Sequence, residues 1–302
     1  MINYKNNPQK LIELKNKTFF IFDMDGTIYL EYTPLPNAVD LIEKINRHKN
    51  KRMIYFTNNA SKNPAYYLDK LNRLGFSASR EQILTSADVL IKFLKSHRQN
   101  KNIYLLGTPY LEDMFRENGI NCVGRGRPRA EIEIPAASYG VPRNAEGGVP
   151  YKNTPDIVVT SFDTTLTYDK LERACTWIRN GAEWLTTHPD INCPVENGYI
   201  PDCGAINELI RVSTGKPLPK AFGKPYGEVI DMIEEIYGEK RENMAMFGDR
   251  LYTDIALGKK NNMTAVLLLT GEATLDEALG LPEELRPDLI FADLFEVEKG
   301  IL

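Results

Sequence analysis

The 302-residue chain has only four cysteines, Cys122, Cys175, Cys193 and Cys203, at wide and irregular spacing. None forms a Cys-x-x-Cys pair, so neither a structural zinc site nor a disulfide framework is indicated. Scattered reduced thiols are the expectation. No apolar run approaches the roughly 20 residues that a membrane span needs. The longest, such as Ala265–Leu269, are strand-sized. Residues Met1 to Lys10 are polar and lack the apolar stretch of a secretory signal. There is no excess of basic charge. Lys+Arg is 37 against 41 Asp+Glu, a formal net charge of −4, which argues against a nucleic-acid partner. Gly124-Arg125-Gly126 lacks the third glycine of a dinucleotide loop, and Gly223-Lys224 lacks the Ser/Thr of a P-loop. No internal repeat is visible. A cytoplasmic protein with no membrane and no nucleic-acid partner is expected.

What is present is an ordinary globular composition, 42% apolar and 26% charged, in a chain long enough for two domains at about 100–200 residues each. Thr18–Phe22 and Met53–Thr57 are short apolar runs of the kind that form doubly buried parallel strands. Between them Ala38, Leu41, Ile42 and Ile45 recur at helical spacing. Leu68, Leu71 and Leu74 line a second helix closed by Gly75. Ser86 is the expected N-cap of a third, carrying Leu90, Phe93 and Leu94. Strand–helix–strand units imply a parallel sheet with right-handed crossovers. A second such stretch uses Ile103–Leu106 and Ile157–Thr160, with helices ended by Gly119 and Gly181. Gly124–Pro155, rich in Gly, Pro and Arg, reads as a long loop or inserted hairpin. The last third returns to the first pattern, with strands at Met244–Phe247, Ala265–Leu269 and Leu289–Phe291. The expected fold is therefore α/β. A doubly wound parallel core of residues 1–99 and 219–302 is interrupted by a smaller α/β domain, residues 100–218.

In open parallel sheets, ligands sit at the carboxyl ends of strands. There the sequence places Asp23-Met24-Asp25-Gly26-Thr27, Thr57-Asn58-Asn59, and Gly248-Asp249-Arg250 with Asp254 beyond. Gly223-Lys224-Pro225 stands just before a helix. Each group alone is an ordinary turn or cap; together and in this order they suit phosphoryl transfer to a carboxylate. A carboxylate meeting a phosphate is repelled by about 4 kcal/mol per unit-charge pair at 4 Å and an effective dielectric constant of about 20. Mg2+ is the natural neutralising ion, with Lys224 as a second positive centre. Thr57 and Asn58 would hold the phosphate oxygens. Asp25 would serve as general acid and then base.

The set DMDGT, TNN, a lone GKP lysine and GDRLYTDI resembles the four motifs of the haloacid dehalogenase superfamily. An insert between TNN and GKP resembles its class II capped branch, and the p-nitrophenyl phosphatase-like group within it. Gly181–Trp184, Thr187-His188-Pro189-Asp190 and Cys203-Gly204-Ala205 are similar to that group's cap pattern. The resemblance implies Asp23 as nucleophile and metal ligand, and Asp25 as acid/base that also binds metal through its carbonyl. It implies Thr57 and Asn58 as phosphate-binding positions, with Asn59 nearby, and Lys224 as the neutralising lysine. Asp249 would be a metal ligand, and Asp254 would orient Lys224 or a metal-bound water. His188 stands where such proteins often have Asn and is a candidate substrate contact. The expected substrate is a small phosphorylated metabolite, drawn from sugar, glycerol, glycolate or pyridoxal phosphates or nucleoside monophosphates. A cap over the site would exclude water and read the leaving group.

Three matters stay open. A receiver-type phosphoacceptor module also uses clustered acids, a Thr and a Lys, and a carbon–halogen hydrolase uses the same scaffold. Arg125, Arg127 and Arg129 either meet an anionic substrate tail or are a solvated loop balanced by Glu131 and Glu133. Oligomeric state is not readable, and a homodimer through the cap is one possibility.

Overall fold

The computed structural model describes residues 6–122, 154–195 and 198–302. The Gly124–Pro155 insert, with Arg125, Arg127 and Arg129, lies outside the described residues except for positions 154 and 155.

Fourteen strands are described. They are β1 (Phe19–Phe22), β2 (Tyr29–Leu30), β3 (Thr33–Pro34), β4 (Arg52–Thr57), β5 (Ile83–Thr85), β6 (Ile103–Leu106) and β7 (Ile157–Thr160), then β8 (Glu183–Thr186), β9 (Asn192–Val195), β10 (Gly198–Pro201), β11 (Lys220–Ala221), β12 (Met244–Gly248), β13 (Thr264–Leu268) and β14 (Leu289–Phe291). A six-stranded sheet runs β14-β13-β12-β1-β4-β5, and all its pairings are parallel. Every residue of β1 and β12 is buried, as expected for central strands covered on both faces. A four-stranded parallel sheet, β11-β8-β7-β6, forms the second lobe. The sequence expectation of a doubly wound α/β protein with a smaller α/β insert is met. Lys220–Ala221 belongs to the second sheet, so the chain returns to the main sheet after Ala221 rather than at residue 219.

The helices follow from their apolar faces. The first, α1 (Pro8–Asn16), buries only Leu14; α2 (Ala38–Arg47) buries Ala38, Leu41, Ile42 and Ile45. The third, α3 (Pro64–Arg73), turns Tyr67 and Leu71 inward. For α4 (Ser86–His97) the cap is Thr85, not Ser86. Asp88 accepts from the Thr85 backbone N–H at 2.8 Å, completing a reciprocal capping box. Ser86 is the first helical residue, and its hydroxyl donates to the Asn58 carbonyl at 2.6 Å. One apolar cluster runs through both lobes, from Phe19 and Ile54 through Leu90 to Leu105, Ile157 and Leu185. On the other face of the main sheet Phe22 and Phe247 stack with ring centroids 4.5 Å apart, fixing the ends of β1 and β12 side by side.

Candidate active site

The parallel register Phe22↔Phe247 brings Asp23 and Asp249 out of the sheet together. The Asp23 backbone N–H donates to the Phe247 carbonyl at 2.8 Å. Asp249 is held by the Thr27 hydroxyl at 3.2 Å and the Glu272 backbone N–H at 2.8 Å. Gly26 is required here. Its φ is +86°, and a Cβ would stand 2.5 Å from Asp249 Oδ2. Asp254 sits on the wide turn Leu251–Ile255 that leads out of β12 and is fully buried.

Lys224 is 2% exposed and points its ammonium between two carboxylates. It ion-pairs with Asp23 and with Asp254, the latter at 2.7 Å. Burial works against its charge, but those two carboxylates hold its pKa well above the ordinary lysine value. Its backbone is clamped by Asn58. Asn58 Oδ1 accepts from the Lys224 N–H at 2.8 Å, and Nδ2 donates to the Lys224 carbonyl at 3.0 Å. Gly223 makes this possible, because a Cβ there would lie 2.5 Å from Asn58 Oδ1.

The sequence-derived residues converge. Asp23, Asp25, Thr57, Asn58, Asn59 and Lys224 line one cavity of about 150 Å³. Burial, followed by the charge of Asp23, raises the Asp25 pKa against the opposing pull of Lys70. A raised carboxyl pKa suits a proton donor. The Thr57 oxygen accepts from the Asn59 backbone N–H at 3.1 Å, leaving its own proton to donate. The Asn58 and Asn59 side chains have other employment. Asn58 Nδ2 also donates to Asp190 at 2.8 Å. Asn59 Oδ1 accepts from the Ser61 N–H and hydroxyl at 3.0 and 2.7 Å, closing an Asx turn. The Asn58 amide is spent on holding the loops, whereas Asn59 keeps its Nδ2 beside the cavity, 3.9 Å from Cys193 Sγ.

His188 is not placed as a substrate contact. It is fully buried and does not line the cavity. Its Nε2 is 2.9 Å from Asp202 Oδ1, its Nδ1 is 2.8 Å from Thr187 Oγ1, and Ser86 Oγ lies 3.5 Å away. Asp202 caps the helix Cys203–Thr214, and this anchored carboxylate holds the ring inward. Burial alone would favour neutral imidazole, but Asp202 more than offsets it and raises the pKa.

Two residues given no role from sequence complete the site. Asp190, from the second lobe, is 3% exposed. One of its oxygens accepts from Asn58, and the other from Arg250 Nη1 at 3.0 Å. Arg250 follows Asp249 directly and also meets Glu272 at 3.0 Å. The only signal for them was position: Arg250 beside a candidate ligand, and Asp190 at the end of a Thr-His-Pro-Asp run.

The donor set fits a divalent cation. Carboxylate oxygens of Asp23, Asp249 and Asp254 all lie within 4.8 Å of one another and are buried. Burial and the neighbouring Asp23 and Asp254 push Asp249 up to about 7. Asp254 is pushed up to about 6 by burial, with Lys224 pulling the other way. Clustered hard oxygens that repel one another in this way are the surroundings of a hard cation.

The chain matches known proteins over nearly all of its length. Residues 20–121 match the family described as haloacid dehalogenase-like hydrolase, and residues 221–297 match a HAD-hydrolase-like family. An acid sugar phosphatase of Staphylococcus saprophyticus is 30% identical over 288 residues, covering 95% of this chain and 99% of the relative. The crystal structure of a 4-nitrophenylphosphatase from Thermotoga maritima is 35% identical, superposes with a TM-score of 0.81, and covers 97% of this chain and 99% of its own. A glycerol phosphate phosphatase from Mycobacterium tuberculosis, solved in complex with calcium, is 25% identical with a TM-score of 0.78, over 93% of this chain and 75% of its own. With four motif groups meeting at one sheet end and relatives matched over 95% and 97% of its length, this chain belongs to the haloacid dehalogenase-like hydrolases, in their p-nitrophenyl phosphatase-like branch.

Proposed function

We propose that the chain is a Mg2+-dependent phosphatase of small phosphate monoesters that works through a phosphorylated Asp23. Membership of its branch makes it a phosphoric monoester hydrolase; the metal, the intermediate and the residue roles are the finer reading. The observation that carries this reading is the position of Asp23. It lies at the floor of the cavity, paired with Lys224, with Asp249 behind it and Asp25 on the same wall.

In the first step a carboxylate oxygen of Asp23 forms a bond to phosphorus as the bond from phosphorus to the leaving oxygen breaks. Asp25, protonated, gives its proton to that oxygen. Water then attacks phosphorus, Asp25 takes its proton, and the Asp23–phosphorus bond breaks to return the carboxylate. Lys224 and the Thr57 hydroxyl would hold the phosphoryl oxygens throughout. Asp23, Asp249 and the Asp25 carbonyl would hold Mg2+, which supplies the positive charge that lets one anion approach another. Asp254 keeps the Lys224 ammonium in place. The second lobe acts as a cap, with Asp190, Cys193, Pro194 and Asp202 forming part of the cavity wall. Sugar, glycerol and aromatic phosphates are the first substrates to test, as the relatives' names suggest. A cytoplasmic location belongs to the same proposal.

The test is Asp23→Asn, an isosteric change. Hydrolysis of p-nitrophenyl phosphate with Mg2+ is expected to vanish while the circular dichroism spectrum is kept. Near-normal turnover in that variant would overturn the reading.

A further inference from the structure

We propose that Lys62 and Lys70 form a second anion-binding subsite at the mouth of the cavity, so that favoured substrates are phosphate monoesters whose leaving alcohol carries a second anionic group. The inference rests on the phosphatase reading and names its substrate class.

Both lysines line the same cavity as Asp23 and Lys224. Lys62 directly precedes Asn63, the N-cap of α3, and Lys70 lies one turn beyond Tyr66 on that helix. Aromatic faces hold both ammonium groups. Lys62 Nζ lies 5.3 Å from the Tyr66 ring centroid and 4.7 Å from that of Tyr110. Lys70 Nζ lies 4.0 Å from the Tyr29 centroid. Among the described residues Lys62 forms no ion pair, and Lys70 stands in the field of Asp25 and Glu31.

A tyrosine face orients an ammonium without neutralising it. A carboxylate would consume the charge; a ring leaves it for a guest. Of the other acids on the cavity wall, Asp190 is engaged by Asn58 and Arg250 and Asp202 by His188, while Asp25 acts on Lys70. A monoester seated with its phosphate at Asp23 and Lys224 must send its leaving group toward the mouth. There it meets two ammonium charges held on tyrosine faces, and a second negative charge on that group is the complementary feature.

The experiment compares three esters of one two-carbon skeleton at fixed free Mg2+: ethyl phosphate, phosphoglycolate and ethanediol bisphosphate. Wild type is expected to favour an anionic ester over ethyl phosphate by about fivefold to tenfold in kcat/KM, the scale of a partly screened ion pair. In Lys62→Met and in the double variant Lys62→Met Lys70→Met, that ratio is expected to collapse toward one through KM for the anionic ester. Lys62→Arg should restore it, and Lys95→Met, away from the cavity, should not change it. Preference for the carboxylate alone or the second phosphate alone supports the subsite and identifies the anion. A wild-type ratio near one, or a ratio unchanged in the double variant, overturns the subsite while leaving the phosphatase reading intact. Failure of wild type to hydrolyse any of the three, with p-nitrophenyl phosphate also untouched, overturns the phosphatase reading itself.

Discussion

Removing Asp190 should loosen the catalytic loops as well as weaken the fold. Among the described residues this carboxylate is the one group that ties the second lobe to both Asn58 and Arg250. At 3.0 Å its pairing with Arg250 would be worth about 5 kcal/mol of gross attraction at an effective dielectric constant of about 20. Burial opposes that gain strongly enough to leave the Asp190 pKa raised despite His188 and Arg250 nearby. Breaking a buried pair costs about 3–5 kcal/mol when the partner is stranded. Here Arg250 keeps Glu272 at 3.0 Å, so Asp190→Ala should cost less, about 2–3 kcal/mol. At about 2–4 °C per kcal/mol this lowers Tm by about 4–12 °C. The Asn58 amide, freed on one side, no longer fixes the Lys224 backbone, and a misplacement near 1 Å costs about a hundredfold in rate. Thermal unfolding and p-nitrophenyl phosphate kinetics read both effects. Asp190→Asn keeps an acceptor for Asn58 but loses the charge opposite Arg250, so it should lose stability with a smaller fall in kcat. If Asp190→Ala keeps both the wild-type Tm and kcat, the linkage is idle and the reasoning fails.

Stability should depend on pH and metal in a linked way. Asp249 and Asp254 have folded-state values raised from about 3.8 to about 7 and about 6. The folded state therefore binds more protons than the unfolded state between these limits, and stability without metal should fall as pH rises through that window. Mg2+ would bind the deprotonated Asp249 carboxylate, so the rise in Tm on adding it should grow from pH 5 to about pH 7; a metal effect that shrinks with pH contradicts the assignment. Chelation with EDTA should abolish turnover, and Mg2+ should restore it. Lys224→Met removes the buried cation shared by Asp23 and Asp254, and kcat is expected to fall by about a hundredfold to a thousandfold; a variant within threefold of wild type would remove Lys224 from the mechanism.

Much of the fold is legible because its strands are continuous apolar runs. Phe19–Phe22 and Met244–Gly248 are wholly buried, and such runs admit few other readings. The three-residue β5 and the two-residue β11 carry too little pattern to be seen and are fixed by pairing with their neighbours. Ser86 and Thr85 both qualify as caps. Asp88 decides between them, because its carboxylate reaches the Thr85 N–H three residues back. The acids and Lys224 were legible because strand ends in a parallel sheet share one edge. Side-chain direction was not. Asn58 and His188 have the chemistry of ligand contacts, but a long-range partner claims each: Asp190 across 132 residues and Asp202 across 14. Sequence spacing does not reveal that such partners are near.

The central claim is that Asp23 takes the phosphoryl group before water does. Asp25→Asn isolates that event, since p-nitrophenolate leaves without a proton whereas attack by water needs a base. The measurement is a rapid-mixing experiment with this variant, p-nitrophenyl phosphate and Mg2+, followed by acid quenching and peptide mass spectrometry. The account predicts a burst of one nitrophenolate per active site with a phosphoryl group on the peptide at Asp23. Steady turnover with no burst, or a phosphoryl group on any other residue, would contradict it.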